Sequence, residues 1–384
     1  LQALGNMDER PEKERAFAGR ALPLDQFYVH NIAVFGNKTS TDDFILSKLG
    51  ISSGDSCALE DLENGLDQLY GTKYFETVDY TISPQGEGFQ LNINVREKQV
   101  FTTFRAGLNY SDDFKTAVLL NLTHRNFLFQ NSRFSTDVAL GDNPRVEVSY
   151  FVDRGFIPTL GLNFRASQFR YRNYENFQAV SQAVYQDFSL DFFLQSTLKD
   201  AYAIGAGVQL DDARVNQEFE RAGYSNLNKG FINYYGFIDF DSFDHEYFPR
   251  EGFQLRGQYR IIAERIGFET FRPPSSVIDL NYRQVIPLNK RLTAITKLYG
   301  ASTIGSNLSF PYQLHLGSLG HNYINYIQPF IGYRFMELSG RNALYLRGDL
   351  FYEFTKDHYL IGRYNIGKIE PTLDDIFASR ILLD

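Results

Sequence analysis

Residues 251–262 read EGFQLRGQYRII, and their polarity alternates. Phe253, Leu255, Tyr259 and Ile261 share one face of an extended chain, with Gly257 among them. Gln254, Arg256, Gln258 and Arg260 share the other. Side chains of a strand point to opposite faces with a period of two, so the segment is a strand with one greasy and one wet face. The pattern recurs. Ile278, Leu280 and Tyr282 oppose Asp279, Asn281 and Arg283 in 277–286. Leu344, Leu346, Leu350, Tyr352 and Phe354 oppose Arg347, Asp349 and Glu353 in 343–354. Phe188, Leu190, Phe192 and Leu194 oppose Asp187, Ser189, Asp191 and Gln195 in 186–195.

Two architectures alternate in this way. One is a large soluble β-sandwich. The other is an antiparallel transmembrane β-barrel, apolar toward lipid and polar toward a wet lumen. The barrel is favoured because charges occupy the polar face of nearly every strand, and because Phe, Tyr and Leu gather at segment ends as an aromatic girdle requires. Segments of about ten residues also suit a tilted crossing. Thirteen strands are expected from Phe101 onward, the last near 343–354 and 356–367. Bacterial single-chain barrels have even strand numbers, and Ser379–Asp384 (SRILLD) carries no further alternating, aromatic-ended strand. The expectation is therefore a mostly β chain whose barrel, 101–384, lacks its last strands.

Bulk properties agree. Of 384 residues 43% are apolar, which excludes a disordered chain, and 35 Phe and 25 Tyr exceed the needs of one ordinary core. No run approaches the ~18 apolar residues of a membrane helix, so a membrane reading requires a closed sheet. A net charge of −8 offers no basic face to nucleic acid. The single cysteine, Cys57, allows no internal disulfide. No secretory signal opens the chain, so residue 1 is expected to lie downstream of the translated start.

Ahead of the barrel, residues 27–97 predict a small βααββ domain. Tyr28–Phe35 is a strand closed by Gly36-Asn37. Ser40 and Asp43 resemble a capping box, and Phe44, Ile45 and Leu49 give the first helix an apolar face. Leu59, Leu62, Leu66 and Leu69 recur at helical spacing. Phe75–Ser83 and Phe89–Glu97 flank a turn at Pro84–Gly88. Residues 1–26, charged and weakly periodic, are expected to be a linker from an upstream domain, with a short helix around Glu12–Ala18.

These residues resemble the POTRA–barrel superfamily of outer-membrane assembly and secretion proteins, which includes BamA, TamA and FhaC. The small domain matches POTRA, the polypeptide-transport-associated fold, at Phe35-Gly36-Asn37, Leu49…Gly54-Asp55, Leu66…Leu69-Tyr70, Tyr74-Phe75…Val78 and Val95-Arg96-Glu97. In the barrel, Asp241, Asp244, Phe248, Pro249 and Gly252 resemble the family's D…FP..G turn, and Arg125-Asn126 and Leu140-Gly141 fall in family-like places. One POTRA directly before the barrel is most similar to the C-terminal part of patatin-like type Vd secretion proteins (PlpD-like, including those of Bacteroidota). That resemblance implies a sixteen-stranded barrel and an upstream patatin passenger tethered by 1–26. It also implies an extracellular loop folded into the lumen, here about 313–341, whose tip arginine pairs with wall carboxylates. Gly332-Tyr333-Arg334 stands where an Arg-Gly-aromatic run is expected, so Arg334 is the candidate, with Arg341 as runner-up. Asp349 and Glu353 are the candidate partners, joined by charge-assisted bonds. On the POTRA side the family suggests an edge strand carrying Phe75, Thr77, Asp79 and Thr81 for an extended client.

Catalysis finds little support. Gly50-Ile51-Ser52-Ser53-Gly54 matches G-x-S-x-G, but a nucleophile elbow needs a strand-to-helix turn, and here the segment lies between two predicted helices. Six histidines show no metal-ligand spacing. The expectation is no catalytic residue, no metal and no cofactor in this chain. The expected function is an outer-membrane translocator or insertase whose partners are lipid, an extended or unfolded client and its own N-terminal passenger. The expected place is the bacterial outer membrane, with the POTRA-like domain in the periplasm. A passive porin-like barrel and a membrane anchor for a patatin-like phospholipase are the alternatives.

Overall fold

The computed structural model describes residues 26–155, 157–175, 178–198, 201–218, 225–245, 248–266, 270–271, 274–305, 308–318, 326–356, 358–378 and 382–383. The expected linker and its short helix fall outside them, except for Gln26. The chain divides into two compact units: residues 1–108, 118–138 and 148–160, and residues 109–117, 139–147 and 161–384.

The first unit contains the small domain: β1 (Gln26–Phe35), α1 (Asp42–Leu49), β2 (Ser56–Ala58), α2 (Leu59–Gly71), β3 (Phe75–Gln85) and β4 (Gly88–Glu97). Its sheet runs β2-β1-β4-β3, with β1 parallel to β4 and the other pairs antiparallel. β2 is additional to the expected βααββ order. Three residues are too few to show a period, yet Cys57 is buried there against the core. The helical leucines Leu62, Leu66 and Leu69 pack with Phe44, Ile45 and Leu49 over Leu91, Ile93 and Val95. Thr41 caps α1 by accepting from Phe44 N–H, so the cap lies one residue beyond the expected Ser40. Gly50, the left-handed C-cap, ends the helix. The G-x-S-x-G match is therefore turn chemistry, in which Ser52 N–H donates to Asp55 Oδ2 at 2.9 Å.

Long strands follow: β5 (Thr102–Ser111), β6 (Lys115–Arg125), β7 (Ser132–Gly141), β8 (Arg145–Arg154), β9 (Ile157–Glu175), β10 (Gln178–Leu198), β11 (Tyr202–Gln217), β12 (Leu227–Asp241) and β13 (Gly252–Ile266). After the two-residue β14 (Thr270–Phe271) come β15 (Ser275–Asn289) and β16 (Leu292–Ile304). β17 (Leu314–Leu316), β18 (Ile327–Gln328) and β19 (Leu338–Gly340) form a small sheet of their own. β20 (Asn342–Thr355), β21 (His358–Glu370), the short helix α3 (Leu373–Ala378) and β22 (Leu382–Leu383) complete the order. Thirteen long antiparallel staves thus neighbour one another in sequence order from β5 to β21, as the alternation requires. Beyond β21, Leu382 and Leu383 pair with Gly367 and Ile366. The SRILLD stretch, expected to carry no further alternating, aromatic-ended strand, contributes this two-residue pairing.

Polarity is inverted relative to a water-soluble sheet. Phe188 and Phe192 are 49% and 50% exposed, whereas Asp187 between the rows is 2% exposed. Leu344, Leu346, Leu350 and Tyr352 are exposed while Asp349 is buried. Polar side chains inside and a continuous apolar face outside suit lipid, and exclude the sandwich. The inner face changes character at the end of the sheet where β9 and β11 finish. There it carries Phe169, Tyr171, Tyr185, Val215, Phe231 and Tyr345, all buried. Those residues form one core with Tyr312, Leu314, Leu316, Ile327, Phe330 and Phe335 from the segment between β16 and β20. Because this loop touches staves from β9 through β20, the sheet wraps around it.

Candidate functional site

Three places carry the expected functional residues, and each is built differently. The first is the inward loop. Pro311 lies in a short 3-10 turn, Phe310–Tyr312, that directs Tyr312 into the wall. The Tyr312 hydroxyl donates to Asp211 Oδ2, which also accepts from Asn233 Nδ2 at 2.7 Å. Asn233 Nδ2 in turn reaches Tyr312 Oη at 2.6 Å, and Gln209 Nε2 donates to Asp211 Oδ1 at 2.8 Å. Asp211, Asn233 and Tyr312 are all buried. Phe310 stacks on Tyr171 at 4.7 Å, and Phe335 meets Phe114 edge-on at 4.9 Å.

The loop arginine is placed differently from the expectation. Arg334 is exposed, with its guanidinium 5.6 Å from the Tyr174 ring and its N–H donating to Glu337 Oε2 at 2.7 Å. The structure does not bring it to Asp349 or Glu353. The reason is local: Phe335 takes the inward position against Phe114 and Phe169, so its neighbour Arg334 turns away. Arg341, the runner-up, donates to Gly305 O at 2.7 Å where β20 begins. Asp349 is held by Arg347 and Arg363 at 2.7 and 2.8 Å, and Glu353 pairs with Arg250. Inward arginines are found on the wall instead. Arg260 is buried, lies 4.7 Å from the Tyr235 ring and donates to Gln209. The strict alternation of 251–262 had already put it on the wet face.

Beside this loop lies a cavity of about 520 Å³ lined by Arg165, Arg256, Arg260, Asp191, Asp239 and Asp279 among others. Asp239 Oδ1 and Asp279 Oδ1 have no hydrogen-bond partner among the described residues. Such a lining demands water or a polar occupant.

The second place is the D…FP..G turn between β12 and β13. Asp241 Oδ1 accepts from Phe243 N–H at 3.0 Å, and Asp244 Oδ1 accepts from Arg250 N–H at 2.8 Å. Burial alone would raise the Asp244 carboxyl, but His245 and the Arg250 and Glu251 N–H groups outweigh it and lower its pKa. Gly252 has φ +102°, and a Cβ there would meet Ser242 O at 2.2 Å, so only glycine fits. The turn reaches β20 and β21: Phe248 stacks on Tyr359 at 4.6 Å with planes 7° apart.

The third is the edge of the small domain. Among the described residues β3 pairs with β4 alone and so ends the sheet. Lys98 N–H donates to Tyr74 O, and the register shifts between Phe75 and Thr77. From there antiparallel geometry alternates. Thr77, Asp79 and Thr81 aim their backbone groups at β4, and Val78, Tyr80 and Ile82 aim theirs at the open side. Phe75, Thr77, Asp79 and Thr81 all lie on this strand, but their neighbours carry the outward hydrogen-bonding groups. Val78 N–H donates to Tyr70 Oη at 2.8 Å, and Tyr70 Oη donates to Val78 O at 3.2 Å. Pro84 is the next outward position, and it has no N–H.

Comparison with known proteins matches both parts of the chain. The OMP85 superfamily matches residues 89–383, and a POTRA family described as surface antigen variable number repeat matches 27–98. The outer membrane protein assembly factor BamA of Nitratidesulfovibrio vulgaris (strain Hildenborough) is 25% identical over 130 residues, 31% of this chain and 16% of that protein. The chain matches only 16–19% of the length of the curated relatives. The crystal structure of BamA from Haemophilus ducreyi lacking POTRA domains 1–3 has a TM-score of 0.61 at 14% identity, over 89% of this chain and 71% of that one. CdiB from Escherichia coli has a TM-score of 0.61 at 14% identity, over 93% and 68%.

Proposed function

The chain belongs to the OMP85 superfamily, and from that premise we propose that it moves or inserts polypeptides at a bacterial outer membrane. The end of the barrel where β5 begins then faces the periplasm, and the loop between β16 and β20 enters the lumen from the outer side. The observation that carries this reading is a loop seated against the inner face of the sheet by side-chain contacts. Tyr312 on Asp211 is its polar anchor, and the polar cavity lies beside it. A diffusion pore has no use for a small domain with an open sheet edge. The client is an extended chain that pairs by its backbone with Tyr80 and Ile82 of β3, a mode that makes little demand on client sequence.

The test uses vesicles carrying the full chain and a fluorescent unfolded client. Client binding lost in Ile82→Pro, with the sheet intact by circular dichroism, supports the reading. Constant conductance indifferent to client and to Ile82→Pro would favour a passive pore. Given the resemblance to patatin-like type Vd proteins, a passenger borne on the same chain is the first client to try. Esterase activity of this chain, lost in Ser52→Ala, would instead favour the lipase-anchor reading.

A further inference from the structure

The turn between β6 and β7, Asn126–Asn131 (NFLFQN), exposes three consecutive large apolar side chains: Phe127 at 40%, Leu128 at 77% and Phe129 at 62%. Loose loops do this by accident, but this turn is tightly built. Ser132 Oγ sits 2.7 and 2.6 Å from Phe127 O and Phe129 O, sharing its one proton between them, and Tyr150 Oη donates to Phe127 O at 2.7 Å. Asn131 N–H donates to Asn126 Oδ1 at 2.9 Å. Three non-glycine residues, Asn126, Leu128 and Asn131, have φ of 55°, 65° and 54°. For leucine that conformation is costly and persists only when its surroundings enforce it. A rigid, strained turn is thus maintained to project apolar groups outward.

The Phe127 ring shows what they face. It lies 5.2 Å from Phe134, 6.5 Å from Tyr150 and 5.7 Å from His124. Asn121 hydrogen-bonds Asp137 across the polar inner face, which leaves His124 and Phe134 on the outer one. The turn therefore continues the lipid-facing band past the strand ends, where aromatic residues anchor a barrel at the interface. The same turn is bonded to the small domain. Asn131 Nδ2 donates to Thr41 Oγ1 at 2.9 Å, Tyr74 Oη to Ser132 O at 2.8 Å and Arg125 Nε to Thr72 O at 3.2 Å.

We propose that Phe127-Leu128-Phe129 is a wedge inserted into the periplasm-facing leaflet, its occupant the acyl chains beneath the phospholipid headgroups. Through Asn131 and Ser132 it fixes the small domain against the membrane surface. This rests on the membrane reading above. The chain contains no Trp, so Phe129→Trp in the full chain carries a single indole, and Leu190→Trp on the exposed row of β10 serves as the reference. Both are reconstituted in phosphatidylcholine vesicles with or without bromine on the acyl chains. The wedge requires blue-shifted emission at position 129 that loses most of its intensity to brominated lipid. Quenching of the 190 indole with a water-like, unquenched 129 indole overturns the wedge and leaves the barrel standing. An absence of quenching at both positions overturns both.

Discussion

The Tyr70 hydroxyl occupies both outward backbone groups of Val78, accepting from its N–H and donating to its carbonyl. A side chain of α2 thereby does what an added strand would do. Sheet edges invite pairing with other chains, and proteins blunt them. Here the hydroxyl closes one side and Pro84 the other, which narrows the outward backbone window to Tyr80 and Ile82.

Tyr70→Phe removes the hydroxyl and keeps the ring. The Val78 amide is then expected to exchange with solvent about fivefold faster, as loss of one hydrogen bond worth about 1 kcal/mol implies. Amides of Thr77 and Asp79, which face β4, should hold their rates. Equal exchange of Val78 in both proteins would show that the hydroxyl does not protect the edge. Client binding should tighten, because the window lengthens by one residue.

How much of this was readable from sequence depends on the range of the interaction. Period-two alternation is local, so the thirteen staves were legible, and so was Arg260 on the wet face. β2 was not, since Cys57 gains its place from pairing with Phe27, thirty positions away. Tyr312 gave no signal either. Its partner Asp211 lies a hundred residues back, and nothing in the local pattern joins them. The loop arginine was sought by resemblance. In this chain the aromatic after Arg334 claims the buried position, and the anchoring carboxylate is met by a tyrosine.

Glu97 makes the small domain sensitive to acid. Burial tends to raise its pKa, but the Thr39 hydroxyl and the Thr39 and Ser40 N–H groups, which favour the carboxylate, outweigh it, so the net shift is downward. A carboxylate with a lowered folded pKa stabilises above its unfolded pKa, and that stability is lost as pH falls through the folded value. Thermal melts should show the domain weakening below the ordinary glutamate range. Glu97→Gln should cost about 1.5 kcal/mol at neutral pH and flatten that acid limb. A variant whose melting temperature follows the wild-type pH profile would assign the acid limb elsewhere.

At the D…FP..G turn, magnitudes decide between two contacts. Arg250 pairs with Glu353 but is half exposed, and such pairs are worth about 0–1 kcal/mol. Phe248 stacks on Tyr359, a contact worth about 0.5–1.5 kcal/mol beyond the area it covers. Phe248→Ala should therefore lower the unfolding temperature in detergent more than Arg250→Ala. The order should persist at high salt, where the ion pair is screened. The reverse order would mean that charge, not stacking, seats the turn.

The lumen loop is the part most exposed to a single substitution. Tyr312 and Asp211 are both buried, so removing the carboxylate strands the hydroxyl away from water. Asp211→Ala should cost the seated loop about 1–3 kcal/mol. That corresponds to a rise of about five- to 150-fold in the withdrawn fraction, with the aromatic contacts of Phe310 and Phe335 holding the rest. Planar-bilayer recordings should show more frequent openings, and protease added from the loop side should cut within 305–341 faster. Tyr312→Phe leaves Asp211 its bonds from Asn233 and Gln209. It should therefore open the loop less than Asp211→Ala does. Equal effects from the two would mean that the tyrosine hydroxyl alone carries the anchor, and no change in either would leave the aromatic cluster as the whole of what keeps the loop inside.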